Sequence, residues 1–498
     1  MKNLKKLKRD NSIELSLEIK KQQNHENPKI LLPNENEIKK EIKEFDFWEN
    51  SNGKIKINHL ELMEFFSSNG FYKFKFGNSL LVIKESNNWI EEVGDDDLID
   101  FVKSYLKRKK KKEVLEVFTK GVGSYLSLKK MSFLDQASTI KDKDDRDNSK
   151  IFFNNCFVSI SKIGFEINSY KNLKSKVWKN RILKRDFELP KDNNKGQFEQ
   201  FCFNISKKDE QRFFCLKTLI GYLLHRNKER GEAVAVILYD ELMSSTGETN
   251  GRTGKTLISI ALNELREVIT FDGKNSKKNS WFKFQRVNVT TDILNFDDLD
   301  KNTSLEEFYS LLTSGLEIEK KRKDAIKLEF LESPKVLLSS NHIVKGPGGS
   351  SDNARRHEFE IANYYDAVFT PEIEFETRFF GNYWTIEEWN KFYKFMIDCI
   401  LLYLKNGLVK AEPINFIRET VIEKTSNEFF KWIEERLRLN QEEDKRAFHQ
   451  EFINQFTQFS GLSSHRFTKW LNIYANYREA TYSHRSSGGE YYFTISKS

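Results

Sequence analysis

The apolar run AVAVILYD (233–240), followed by the turn GETNGRTGKT (247–256) and then KTLISIALNEL, constrains this chain more than any other feature. Small, aliphatic and β-branched residues in unbroken succession leave no polar face for water. They read as a central strand of a parallel sheet, covered on both sides. Apolar residues at helical spacing after Lys255 read as a helix. Strand, glycine-rich turn and helix is the setting in which backbone N–H groups cradle phosphate. The usual loop is G-x-x-x-x-G-K-[ST]. Counted back from Gly254-Lys255-Thr256, its first glycine falls on Thr249. Gly251 can supply much of the missing backbone freedom. The expected nucleotide contacts are Gly251, Thr253, Gly254, Lys255 and Thr256. Lys255 would reach the β/γ-phosphates and the Thr256 hydroxyl would hold Mg²⁺. A polar turn can carry the same letters, so the segments downstream of the loop decide between the two.

Three such segments come in order. DILNFDDLD (292–300) reads as a strand ending in two carboxylates, Asp297 for the metal and Asp298 for the attacking water. KVLLSSN (335–341) reads as a strand ending at Asn341, whose amide can reach the γ-phosphate and orient that water. After the flexible GPGGSS comes NARRHEFEI, where Arg355 or Arg356 can enter a neighbouring subunit's site and neutralise transition-state charge. Each segment alone has an ordinary structural use. Their order, and the spacing of about forty residues between the first three, together point to ATP hydrolysis with Mg²⁺.

Charge and cysteine content exclude other classes. The 82 Lys and Arg against 74 Asp and Glu leave +8 over 498 residues, too mild to demand a polyanion by itself. The four cysteines, Cys156, Cys202, Cys215 and Cys399, lack zinc spacing and read as buried thiols of a cytoplasmic protein. No signal peptide or membrane span is expected.

The four segments, GRTGKT, DILNFDD, KVLLSSN and ARRHEFEI, resemble superfamily 3 helicases of the AAA+ class. More narrowly, they resemble the primase–helicase proteins of phages and mobile elements of Bacteroidetes-type bacteria. LLTSGLEIEKKRKDAIKLEF (311–330) is similar to the family's glycine followed by a basic hairpin. The resemblance implies that Lys320, Lys321, Arg322 and Lys323 line the pore of a hexameric ring and grip one DNA strand. It implies partners in single-stranded and forked DNA, a primase or other replication protein, and 3′-to-5′ movement. Thr249 and Arg252 replace glycines of the common loop, and residues 47–140 show no primase metal pattern.

The fold expected is α/β, in five parts. Residues 1–46 form a polar tail and 47–150 an α+β N-terminal domain closed by the charged loop KDKDDRDNSK. Residues 151–230 form a helicase-associated region, 231–430 the P-loop ATPase and 431–498 a winged-helix-like module. In the last, two helices around SGLSS precede a hairpin tipped by SSGG. Between Lys445 and Ser498, seven Lys and Arg face three Asp and Glu. Arg466, Lys469, Arg478 and Arg485 are the candidate DNA contacts; a helical lid on the ATPase is the other reading. Two rival functions stay open: a DNA-remodelling or defence ATPase without unwinding, and an origin-binding initiator with an inactive loop.

Overall fold

The structure is a computed structural model describing residues 44–137, 143–242, 253–274, 284–319 and 325–497. Its centre is a five-stranded, wholly parallel sheet. The chain enters through three small sheets. The first pairs β1 (Trp48–Ser51) with β2 (Lys54–Ile57). The second holds β3 (Phe71–Phe76), β4 (Ser79–Ser86), β5 (Trp89–Glu92) and β9 (Val177–Trp178). The third holds β6 (Asn148–Phe152), β7 (Phe157–Ser161) and β8 (Gly164–Asn168). Helices α1 (His59–Ser68), α2 (Asp95–Arg108) and α3 (Lys112–Tyr125) cover the first two.

The central strands are β10 (Ala235–Asp240), β11 (Glu267–Asp272), β12 (Thr291–Asp297), β15 (Lys335–Ser340) and β16 (Arg356–Ile361). They lie in the order β11-β12-β15-β10-β16. All six residues of β10 are buried, as its unbroken apolar run requires. Alternate residues feed two cores. Val236 and Leu238 join one, with Ile258, Leu262 and the helices α5 (Glu210–Leu224) and α7 (Ile386–Asn406). Ala235, Ile237 and Tyr239 join the other. Helix α4 (Gln197–Ile205) adds Phe198 and Phe201 to the first core. Leaving β10, the chain passes through α6 (Lys255–Asn263) to the β11 edge; leaving β15, it crosses to β16 on β10's other side. Such a reversal opens a crevice at the carboxyl ends of the strands, where α/β sheets hold ligands.

Two expected boundaries move. Strand β9, from the 151–230 segment, pairs with β5 of the preceding unit, so the two share a sheet. The charged loop KDKDDRDNSK is exposed at Lys143 and over 145–148 but not at Asp144. Asp144 is buried and pairs with Arg226 at 3.0 Å, and β6 already begins at Asn148. The boundary at 430 falls inside α9 (Asn427–Arg436), whose Phe429, Trp432 and Ile433 belong to the C-terminal core. Between α7 and α9 lies α8 (Phe416–Lys424).

The N-terminal unit reaches the second core at the β3–β4 hairpin, and Val289 also packs against the cluster of Ile83 and Ile90. The antiparallel hairpin of β13 (Gly315–Ile318) and β14 (Ile326–Glu329) packs Leu316, Ile318, Ile326 and Leu328 beside Phe76 of β3. The β3–β4 turn caps it. Asn78 donates to the Ala325 carbonyl at 2.9 Å and accepts from the Lys327 amide at 3.0 Å. Gly77 sits at φ +57°, and a Cβ there would lie 2.5 Å from the Lys327 oxygen, so only glycine allows this approach.

The C-terminal unit runs α9, β17 (Glu442–Asp444), α10 (Lys445–Gln455), α11 (Ser464–Tyr477), β18 (Thr481–Ser487) and β19 (Glu490–Ser496). The three strands form one antiparallel sheet with β19 in the middle. Phe448, Phe452, Phe467 and Trp470 fill its core.

Candidate functional site

The carboxyl ends of β10, β12 and β15 and the start of α6 meet in one polar cluster. Gly254 leads into α6 at φ +111°, a conformation that side-chain-bearing residues avoid. A Cβ there would also lie 2.6 Å from the Phe201 ring. Glycine thus lets α6 begin close against α4. Lys255, next in the chain, turns its ammonium between two oxygens. Nζ donates to Asn341 Oδ1 at 2.5 Å and to Asp240 Oδ2 at 2.5 Å. Asn341, just beyond β15, donates its Nδ2 to Asp298 Oδ1 at 3.0 Å. Lys255, Asn341 and Asp298 therefore form one relay, though they stand on three different segments.

The carboxylate pair at the end of β12 is fixed by β15. The Ser339 hydroxyl donates to Asp297 Oδ1 at 2.5 Å and accepts from the Asp298 amide at 2.9 Å. Asp298 takes φ +56°, tolerable for aspartate. Lys274, just past β11, donates to Asp298 Oδ2 at 2.5 Å. The expected site residues Thr253, Gly254, Lys255, Asp297, Asp298 and Asn341 are thus at one sheet edge. Thr256 is exposed on the first turn of α6. Gly251 and the hairpin residues Lys320, Lys321, Arg322 and Lys323 lie outside the described residues.

The donor set suits a magnesium–nucleotide pair. Among the described residues no three or more His, Cys, Asp and Glu gather as a metal cage. Magnesium at a phosphate site needs only one or two protein oxygens besides phosphate and water. Thr256 and Asp297 are of the right kind.

Arg355 and Arg356 are not brought to this cluster. Arg356 pairs in register with Ala235, at the opposite end of β10 from Asp240. Five strand steps separate them from it by roughly 16 Å. The Arg356 guanidinium is tied to Asp352 and Glu358, each at 2.9 Å. Arg355 contacts Ser351 and lies over the Tyr309 ring at 4.8 Å.

On the C-terminal unit, Arg466 and Lys469 are exposed along α11. Arg485 on β18 is exposed and paired with Glu442. Arg478 is likewise paired, with Glu434 at 3.0 Å, so both it and Arg485 are less free than Arg466 and Lys469.

Asp240 and Ser339 are site residues that motif spacing passed over. Both lie in the runs AVAVILYD and KVLLSSN, where a polar residue towards the carboxyl end of an apolar strand is the available signal. Lys274 had none beyond its place after β11.

No protein-family model matches the chain, and no curated protein does. Among solved structures, the apo NrS-1 C-terminal region (305–718) is similar over 88% of this chain and 99% of its own, at 13% identity and a TM-score of 0.40. Its A form gives 12% identity and a TM-score of 0.37 over the same shares. A JCV helicase bound to a thiazolopyridine acetamide is similar over 49% of this chain and 61% of its own, at 13% identity and a TM-score of 0.24. These likenesses are too distant to carry over the role of any residue. No described helix is long and apolar enough to cross a membrane.

Proposed function

We propose that this chain is an ATP-driven DNA helicase of the superfamily 3 AAA+ kind, working as a ring on single-stranded DNA in replication. The observation that carries the reading is the Lys255–Asn341–Asp298 relay at the carboxyl edge of a parallel sheet, beside a glycine-led helix start. Lys255 binds the β/γ-phosphates. Asn341 orients the attacking water, and Asp298 accepts its proton as the terminal phosphoanhydride bond breaks, giving ADP and phosphate. Mg²⁺, held by Thr256 and Asp297, supplies charge neutralisation on the phosphates.

The ring rests on the arginines. At roughly 16 Å from their own cluster, they serve only a neighbouring subunit's site. Arg356 is committed to Asp352 and Glu358, so Arg355 is the finger and Arg356 its strut. The basic run 320–323, which separates β13 from β14 in the sequence, grips the strand's phosphates without regard to base identity. The helix, strand, two helices and hairpin of residues 427–496 support a winged-helix reading, with Arg466, Lys469 and Arg485 on duplex DNA at the fork.

The test is ATP hydrolysis with and without single-stranded DNA, for the native chain, Lys255→Ala and Arg355→Ala. Each variant alone should be inactive. Mixed, they should regain part of the turnover, because one supplies the finger and the other the site. A native chain that hydrolyses nothing with DNA present would end this reading. The C-terminal unit would then favour an origin-binding protein, seen as sequence-specific duplex binding without turnover. DNA-stimulated hydrolysis without strand separation would instead indicate a remodelling ATPase.

A further inference from the structure

The Asp240 carboxylate has no part in the chemistry above, yet it holds the residue on which nucleotide binding depends. It ends β10, and its side chain is 4% exposed. Oδ2 lies 2.5 Å from the Lys255 ammonium, and Oδ1 accepts from the Thr253 hydroxyl. With Asn341 also at 2.5 Å, two of the three Lys255 donor directions are taken.

A nucleoside triphosphate brings several negative charges to the same ammonium. If Lys255 turns to the phosphates, Asp240 keeps, among the described residues, one neutral hydroxyl, and a buried anion so left is a costly state. If Lys255 stays, the carboxylate faces phosphate oxygens of its own sign. Either way the charge on Asp240 opposes binding. We infer that Asp240 is an internal competitor for Lys255, an intramolecular stand-in for phosphate that sets the affinity for nucleoside triphosphate. The inference rests on the nucleotide-site reading and deepens it. Asp240 is a positioning residue: it acts through Lys255 and Thr253.

The test is titration with a ribose-labelled fluorescent ATP analogue and Mg²⁺, on the full chain. Asp240→Asn keeps the shape and a hydrogen-bond acceptor for Thr253 while removing the charge. It should lower the Kd about ten-fold or more, the scale of one unit charge a few ångströms from an anion at a protein's effective permittivity. The KM for ATP should fall with it, while kcat moves far less. Asp240→Ala should shift the Kd the same way, so the test survives a poorly folding Asn variant. An unchanged or weaker Kd in both variants, with the native chain binding normally, would overturn the inference alone and make Asp240 an anchor for Lys255. If neither the native chain nor either variant binds nucleotide, the site reading and the inference fall together.

Discussion

Asp144→Ala should be among the most damaging single substitutions outside the cluster at Lys255. The carboxylate is 8% exposed as a residue and is surrounded by partners. Ser149 donates at 2.6 Å, the Lys150 amide at 3.1 Å, the Arg226 amide at 2.8 Å and its guanidinium at 3.0 Å. Arg266 stands 3.9 Å away. Alanine would strip two buried guanidinium groups of their shared counter-charge. Removing one partner of a buried pair costs about 3–5 kcal/mol. The orphaned amides add about 1–3 kcal/mol each where water does not reach them. A loss of at least ~4 kcal/mol is expected, read as a shift in urea midpoint at pH 7. The pH dependence has a definite sign. Burial alone would raise the Asp144 carboxyl, but Arg226 and Arg266 outweigh it and hold it below the usual carboxylate range. Its contribution is therefore full above about pH 4 and is lost as pH falls towards the lower folded value. In the alanine variant that part of the acid sensitivity should vanish. A loss under about 1 kcal/mol would refute the argument, since it would mean that water or another anion replaces the carboxylate.

Gly254→Ala should abolish binding of the fluorescent nucleotide and cost about 1–3 kcal/mol in urea unfolding, from the positive φ and the overlap with Phe201. Asn341→Ala should leave nucleotide affinity within a few-fold of native yet cut steady-state hydrolysis by about 100-fold or more, because the relay to Asp298 is broken. Lys469→Ala should weaken binding to duplex oligonucleotides of any sequence, and the slope of log affinity against log salt should fall by about 1. Asn78→Ala removes both side-chain bonds to the hairpin base; basal hydrolysis should persist while its stimulation by single-stranded DNA drops, measured as the ratio of the two rates.

The elements of the site were legible because each ends an apolar run with a polar residue. Asp297-Asp298 and Asn341 stand out after Leu294–Phe296 and Val336–Leu338 for that reason. Their meeting was not legible from local pattern, since it depends on β15 lying between β12 and β10, a property of sheet order. The same limit hid Asp144. A charged stretch looks solvated until its arginines, about eighty and one hundred and twenty residues further on, fold back over it. The boundary at 430 failed differently: Phe429, Phe430, Trp432 and Ile433 follow one helical period, and periodicity says that a helix exists but not which core receives it.

The seat of the β3–β4 turn on the hairpin base also bears on how the chain can be cut or rearranged. Phe74, Phe76 and Leu81 shield Leu316 and Ile326, so a fragment starting near residue 143 would show water a greasy flank on β13 and β14. Such a fragment should clump or stick to other chains. A foreign head could be grafted on only if it brought its own tight, glycine-led turn to sit on the Lys327 carbonyl.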